Sequence, residues 1–388
     1  MTRKPIRMTG RLMQGALLLV LTGCGGSPSA TAQDGAAQGG VAGSARPFTV
    51  TPVADFETPW AMTFLPGSGL PLANMALVSE REGRLWMVDV ANGNKQEVSG
   101  LPSVVVAGQG GLGDVVASPD FAGNRRVYLS FAEAGANGTS GAALGYGTLE
   151  LGQGAPRLTN FRVIWRQTPK VSGSGHFSHR IAFARDGSIF LSSGDRQKMT
   201  PAQDRNVDLG KIIHLTAEGQ AVGGRFYSLG HRNSLGLAFD SQGRLWNVEM
   251  GPRGGDELNL IEQGKNYGWP EASYGSHYDG DDIPDDHAGK GFAEPKLWWN
   301  PSISPAGLII YSGDLFPEWK GDALFGALSG QAFLRADIDG ANARKANQWD
   351  MGARIREVEQ GPGGEVYLLE DGGRGSQGRL LRLEPVRR

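Results

Sequence analysis

The chain of 388 residues contains one cysteine, Cys24, so everything after it folds without a disulfide and carries no thiol that could misoxidise outside the cytoplasm. It must be held by its core. Beyond the first two dozen residues no apolar run is long enough for a spanning helix. Charge of one sign is missing too. With 38 Lys and Arg against 40 Asp and Glu, and no basic cluster, the electrostatic footprint of a nucleic-acid binder is absent. Helical periodicity is equally scarce: few segments keep apolar residues at three-to-four spacing for more than two turns.

What is present begins with a leader. Arg3, Lys4, Arg7 and Arg11 precede the apolar run Ala16 to Leu21, and Leu21-Thr22-Gly23-Cys24 follows. This reads as a secretory signal, too short to span a bilayer as a mature helix. The last four residues resemble a bacterial lipobox, which implies cleavage after residue 23 and lipidation of Cys24. Residues 24–45 are Gly, Ala, Ser and Gln with scarcely an apolar anchor, a composition expected to form a flexible tether. Residues 46–388 remain for the folded domain. The expected location is the periplasmic side of a bacterial cell envelope, lipid-anchored.

Glycine is abundant, with 60 residues, and a short pattern recurs: an apolar strand, a tight turn, then an apolar or aromatic strand. Its first halves are Met62 to Phe64, Val115 to Ala117, Ile181 to Phe183, Leu237 to Phe239 and Val358 to Gln360. The second halves are Leu85 to Met87, Val127 to Leu129, Ile189 to Leu191, Leu245 to Asn247 and Val366 to Leu368. The period is about fifty to sixty-five residues, with a wider gap that Leu308 to Leu334 fills as a sixth unit. This predicts an all-β fold, a six-bladed β-propeller of four-stranded antiparallel blades, closed into a ring that protects the sheet edges.

Candidate functional residues cluster beside these hairpins. Gly108-Gln109-Gly110-Gly111-Leu112-Gly113 matches a dinucleotide fingerprint, but Ser118-Pro119-Asp120 breaks the chain before the helix that the fingerprint needs, which leaves a Gly-rich turn exposing Gln109. His176 and His179 both precede the strand Ile181 to Phe183, and Asp195 closes the next one. A carboxylate beside an imidazole fixes its tautomer and strengthens it as a base, and spacing alone does not choose between the two histidines. His231, Arg232 and Asn233 precede the hairpin Leu235 to Met250. Gly251-Pro252, followed by Asp256 and Glu257, offers carbonyls and carboxylates of the kind Ca²⁺ takes. The run Tyr278 to His287 is acidic but lacks the glycine and glutamate of an EF-hand loop, and reads as a solvated loop near the mouth of the site.

Several of these stretches, taken in order, resemble one family. Thr58-Pro59-Trp60, GQGGL at 108–112, SPDF at 118–121, GHRN at 230–233, EMGPRGGDELNLI at 249–261 and NYGWP at 266–270 are similar to the soluble quinoprotein sugar dehydrogenases, which use pyrroloquinoline quinone (PQQ). The resemblance implies a six-bladed propeller that oxidises aldoses to lactones with PQQ and Ca²⁺ and passes electrons to an external quinone or cytochrome. It also implies that His176 is the general base and Asp195 its orienting acid. Arg232 is implied to face the reacting quinone carbonyl, with Gln109 and Asn233 as neighbouring cofactor contacts. Arg354 and Arg356 are implied to hold the cofactor's carboxylates, Gly251 and Pro252 one Ca²⁺, and Glu257 and Tyr267 a second, structural Ca²⁺. Two departures bear on cofactor affinity: Ala327-Leu328 is followed by Ser329 where the family often has lysine, and Ser178-His179 stands where small residues are usual. The alternative reading is a lipid-anchored propeller that binds a sugar or a protein partner without redox chemistry.

Overall fold

Strands rich in Leu, Val, Ile and aromatic residues, each ended by a glycine-bearing turn, can bury both faces of their sheets without helices by stacking as blades. The computed structural model describes residues 45–66, 72–152 and 154–386, and these form six four-stranded antiparallel sheets. The signal segment, Cys24 and nearly all of the tether lie outside the described residues.

Blade one comprises Pro59–Phe64, Met75–Glu80, Arg84–Asp89 and Lys95–Glu97. Blade two runs through Leu112–Ala117, Arg126–Ala134, Ser140–Glu150 and Arg157–Arg166; blade three through Ser178–Phe183, Ile189–Ser193, Lys211–Leu215 and Ser228–Leu229. Blade four holds Ser234–Phe239, Leu245–Glu249, Asp256–Ile261 and Leu297–Trp299, and blade five holds Pro305–Ile310, Ala323–Ala327, Ala332–Asp339 and Asn342–Asp350. Blade six is composite: Ile355–Gln360, Val366–Glu370 and Arg379–Pro385 are completed by the N-terminal strand Phe48–Asp55, which pairs Phe48 with Pro385 and Asp55 with Arg379. The ring therefore closes by a strand from the opposite end of the chain.

The six blades match expectation, with one correction. The first repeat does not pair Met62 to Phe64 with Leu85 to Met87; the strand Met75–Glu80 lies between them and pairs with both. That strand, MALVSE, contains no aromatic residue and so does not show the repeat's pattern. The fingerprint-like glycines run directly into the strand Leu112–Ala117, and the short helix Phe121–Asn124 comes only after that strand.

Neighbouring blades pack through aromatic contacts. Between blades five and six, Phe48, Phe316, Trp319, Phe333 and Trp349 form one cluster, with Phe316 and Trp319 stacked at 4.0 Å. Emptying the buried Trp319 site by Trp319→Ala costs about 3–5 kcal/mol.

All six innermost strands share an irregularity that positions the site. Each shifts register near its start, at Pro59/Ala61, Leu112/Val115, Ser178/Ile181, Ser234/Gly236, Ala306/Leu308 and Ile355/Glu357. A bulge re-aims the side chain it contains. The bulged positions include Trp60, His179, Leu235 and Arg356, all of which line a single cavity.

Candidate active site

The cavity, about 450 Å³, lies at the end of the ring where chain segments lead into the innermost strands. Those segments carry Gln109, His176, Arg232, Asn233 and Arg354. The loops joining second and third strands reach the same end with Asp195, Gly251, Pro252, Ser329 and Asp371. With Trp60 from blade one, residues from all six blades thus converge, which explains why no short motif contains the site.

His176 Nδ1 lies 2.7 Å from Asp195 Oδ1, and both residues are buried. Oδ1 also accepts the Gln197 N–H, while Oδ2 accepts the Trp269 indole N–H at 2.8 Å and the Met199 N–H at 3.2 Å. Burial works to raise the Asp195 carboxyl, but the bonds from His176, Trp269 and Gln197 hold it below its ordinary value. Burial pushes the His176 imidazole down, and Arg232 adds to this against the opposing pull of Asp195 and Glu249. An ionised Asp195 beside a neutral His176 places the ring proton on Nδ1 and leaves Nε2 with its lone pair. Close backbone approach makes this possible: a Cβ on Gly194 would lie 2.0 Å from the His176 carbonyl oxygen. The flanking backbone is strained, with His176, Ser178, His179, Arg196, Gln197 and Met199 all at φ between 47° and 60°.

The two histidines left open by spacing have different surroundings. Among the described residues His179 has no carboxylate partner; its ring sits 5.1 Å from Trp60, its Nδ1 is buried without a hydrogen bond, and burial together with Arg180 and Arg196 drives it down to about 3. It fits only because residue 113 is glycine, where a Cβ would meet the ring at 2.2 Å.

Arg232 is buried, and among the described residues no carboxylate pairs with its guanidinium. Nη1 donates to the carbonyls of Met250 at 3.1 Å and Gly251 at 2.6 Å, Nη2 donates to the Tyr278 hydroxyl at 3.1 Å, and Nε has no partner. A buried cation with neutral acceptors and a spare donor is a site prepared for negative charge. Glu249 fixes its backbone, accepting the Arg232 N–H as well as His231 Nδ1 and Ser234 Oγ. Around it, Asn233 Oδ1 accepts from Ser178 Oγ at 3.2 Å, and Gln109 Oε1 accepts the His176 N–H at 2.7 Å.

Arg354 and Arg356 share one carboxylate. Asp371 accepts from Arg354 Nε at 2.9 Å and from Arg356 Nε and Nη2 at 3.2 Å. Burial works to raise Asp371, and the two arginines hold it low. Two cations against one anion leave positive charge for a ligand. Ser329 contributes none: its hydroxyl shares a hydrogen bond with Ser304 Oγ at 2.8 Å and lies 3.3 Å from the Ser302 carbonyl oxygen.

The family described as Glucose / Sorbosone dehydrogenase matches residues 56–382. The chain belongs to that family. It is 36% identical over 345 residues to the aldose sugar dehydrogenase YliI of Escherichia coli (strain K12), covering 85% of this chain and 90% of that protein. The crystal structure of the soluble aldose sugar dehydrogenase from Escherichia coli in the apo-form superposes with a TM-score of 0.81 at 35% identity, covering 87% of this chain and 100% of that one. The PQQ-bound form of the aldose sugar dehydrogenase from Streptomyces coelicolor gives 0.73 at 29% identity, covering 87% and 98%.

The metal positions expected in this glucose/sorbosone dehydrogenase chain differ in fit. Among the described residues no group of three or more His, Cys, Asp or Glu side chains is arranged to hold a metal, so any cation must draw on carbonyls. At the Gly251-Pro252 corner, Arg232 already occupies the Gly251 oxygen. Asp256 is not available there either: it accepts the Gly251 N–H on one oxygen, and the N–H groups of Ile303 and Ser304 with the Ser302 hydroxyl on the other. Glu257 is different. Burial and the cross-strand Glu249 push its carboxyl up to about 8, Asn259 donates to it at 3.0 Å, and the nearest base, His287 Nε2 at 3.8 Å, has no hydrogen bond. The Tyr267 phenol is committed to the Leu260 carbonyl and the Glu262 N–H, which leaves its backbone carbonyl as the atom it can offer.

Sequence reasoning missed Glu249, Trp269 and Asp371. Each acts through another residue, so no chemistry in its local pattern marks it, although Glu249 opens the EMGPRGGDELNLI stretch and Trp269 sits within NYGWP.

Proposed function

We propose that the chain oxidises aldose sugars at the anomeric carbon to lactones, with PQQ in the cavity and electrons passing to an external quinone or cytochrome. PQQ, when bound, accepts the hydride that leaves the anomeric carbon. The observation that carries this reading is the convergence, on one cavity, of an imidazole whose Nε2 has no side-chain partner and a buried guanidinium that pairs with no carboxylate, among the described residues. His176 Nε2 takes the proton of the anomeric hydroxyl, and Asp195 stabilises the imidazolium that results. Arg232 answers the negative charge that develops opposite, with the preorganised kind of stabilisation that lowers barriers most. Arg354 and Arg356 fit cofactor carboxylates, and Gln109 and Asn233 orient the groups between.

Calcium is part of the proposal at Glu257 and the Tyr267 carbonyl, where a divalent cation would offset a buried carboxylate with a like-charged neighbour. At Gly251 and Pro252 a cation has to displace the Arg232 hydrogen bond. A propeller that only binds sugars or a protein partner has no use for a base held beside a cation, and nothing in the site favours that reading.

Absorbance of the purified protein with PQQ and Ca²⁺ tests the proposal. An oxidised band that an aldose bleaches is expected; failure to retain PQQ, or a band indifferent to every aldose, contradicts it. The lipid anchor at Cys24 rests on the sequence of the leader and is tested by metabolic labelling with a fatty-acid analogue. Labelled protein in the membrane fraction is expected, and wholly soluble, unlabelled protein in a host with lipoprotein processing opposes it. Among the described residues, no helix is long and apolar enough to cross a membrane.

A further inference from the structure

We propose that Trp269 is a positioning residue that fixes the Asp195 carboxylate and the Arg232 guanidinium relative to each other, so that base and cation address the same bound sugar. The inference rests on the reaction proposed above. Three observations carry it. The indole N–H donates to Asp195 Oδ2 at 2.8 Å, on the carboxylate whose other oxygen holds His176. The same ring lies 5.2 Å from the Arg232 guanidinium carbon, within cation–π range. The Trp269 main chain is itself registered to the segment that carries the cation, since its N–H donates to the Gly230 carbonyl at 3.0 Å while Gln203 Nε2 donates to its own carbonyl at 2.6 Å.

Asp195 and Arg232 come from blades three and four, and the only other direct tie between them is the Asp195 N–H to the Arg232 carbonyl at 2.9 Å among the described hydrogen bonds. That bond fixes backbones, not side chains. Trp269 supplies the side-chain tie from a buried ring packed on Ala202 and Ile283. It also sets the strength of the base. Each donor to a carboxylate spreads its charge and weakens its pull on the histidine proton; without the indole, Oδ2 keeps only the Met199 N–H at 3.2 Å. The charged groups facing His176 are Asp195, Arg232 and Glu249, and of these Trp269 touches the first two.

Trp269→Phe keeps a six-membered ring near Arg232 and removes the N–H together with the five-membered part of the indole. In the protein without cofactor, the His176 Cε1 proton followed by NMR should titrate roughly half a unit to one unit higher in the variant than in the wild type. In the loaded enzyme, single-turnover sugar oxidation should slow by about tenfold with sugar KM unchanged, and its acid limb should move up with the His176 titration. Coincident titrations and equal rates would overturn the proposal. If Trp269→Phe does not fold, ¹⁵N-indole labelling of the wild type decides: the Trp269 N–H resonance should shift with the same midpoint as His176, and an indole that ignores that titration overturns the proposal. A shifted His176 titration in a protein that oxidises no sugar would refute the proposed reaction while leaving the Trp269 tie to the pair in place.

Discussion

Arg232 Nη1 donates to the carbonyl oxygen of Gly251 at 2.6 Å, so a guanidinium stands on an atom that the family resemblance implies for calcium. Two cations sharing one carbonyl repel each other. Stabilisation by calcium should therefore come from the Glu257 position.

Added Ca²⁺ should raise the melting temperature, because a ligand bound only by the folded chain stabilises it by about 2.7 kcal/mol at a hundred times its Kd. Glu257→Gln should abolish that rise, and Arg232→Gln should leave it. Differential scanning fluorimetry with and without chelator checks both. A rise that survives Glu257→Gln places the stabilising cation elsewhere.

His179 makes the fold acid-sensitive. Its folded value of about 3 lies below the ordinary 6.5, so the unfolded chain binds more protons between these limits. Stability from this group is complete above about pH 6.5 and falls as pH drops toward 3, by at most about 1.4 kcal/mol per pH unit. His179→Gln should flatten the dependence of melting temperature on pH across that window, whatever its effect at neutral pH. Parallel curves for the two proteins would show that His179 does not titrate on unfolding.

Cofactor affinity should follow the arginines. Arg356→Gln removes a charged hydrogen-bond donor from the cavity and should weaken PQQ binding by roughly ten- to a hundredfold, about 1.5–3 kcal/mol. Ser329→Lys returns a cation to the cavity wall and should tighten it. Equilibrium titration of the protein with PQQ measures both changes, and an Arg356→Gln affinity equal to the wild type would remove that residue from the cofactor's contacts.

The propeller was legible because its signal is repeated six times: an apolar strand, a glycine turn and an aromatic strand survive the failure of any one copy. The strand Met75–Glu80 was lost and the blade count still held. Closure by Phe48–Asp55 was not legible, since alternation along one strand says nothing about which distant strand it pairs with. In the site, Gln109, His176, Arg232, Asn233 and Arg354 lie in segments leading into innermost strands and could be found beside the hairpins. Glu249, Asp371 and Trp269 could not, because each acts by orienting other residues, within its own blade for Glu249 and Asp371 and from the neighbouring blade for Trp269. The hydrogen bond from Arg232 to Gly251 was not legible either: it depends on the direction the guanidinium takes at the end of the hairpin, which spacing does not give.

The central claim is that His176 removes the sugar's proton in the chemical step. Stopped-flow reduction of PQQ bound to the reconstituted protein by an aldose, under single-turnover conditions, measures that step alone. His176→Ala should slow it by about two to four orders of magnitude while PQQ stays bound, with Asp195→Asn between that variant and the wild type and His179→Ala costing far less. In the wild type the rate should fall on acidification, as the imidazole that burial keeps neutral takes up a proton. A His176→Ala protein that reduces its quinone at the wild-type rate would contradict the mechanism, even with the propeller and the cofactor both in place.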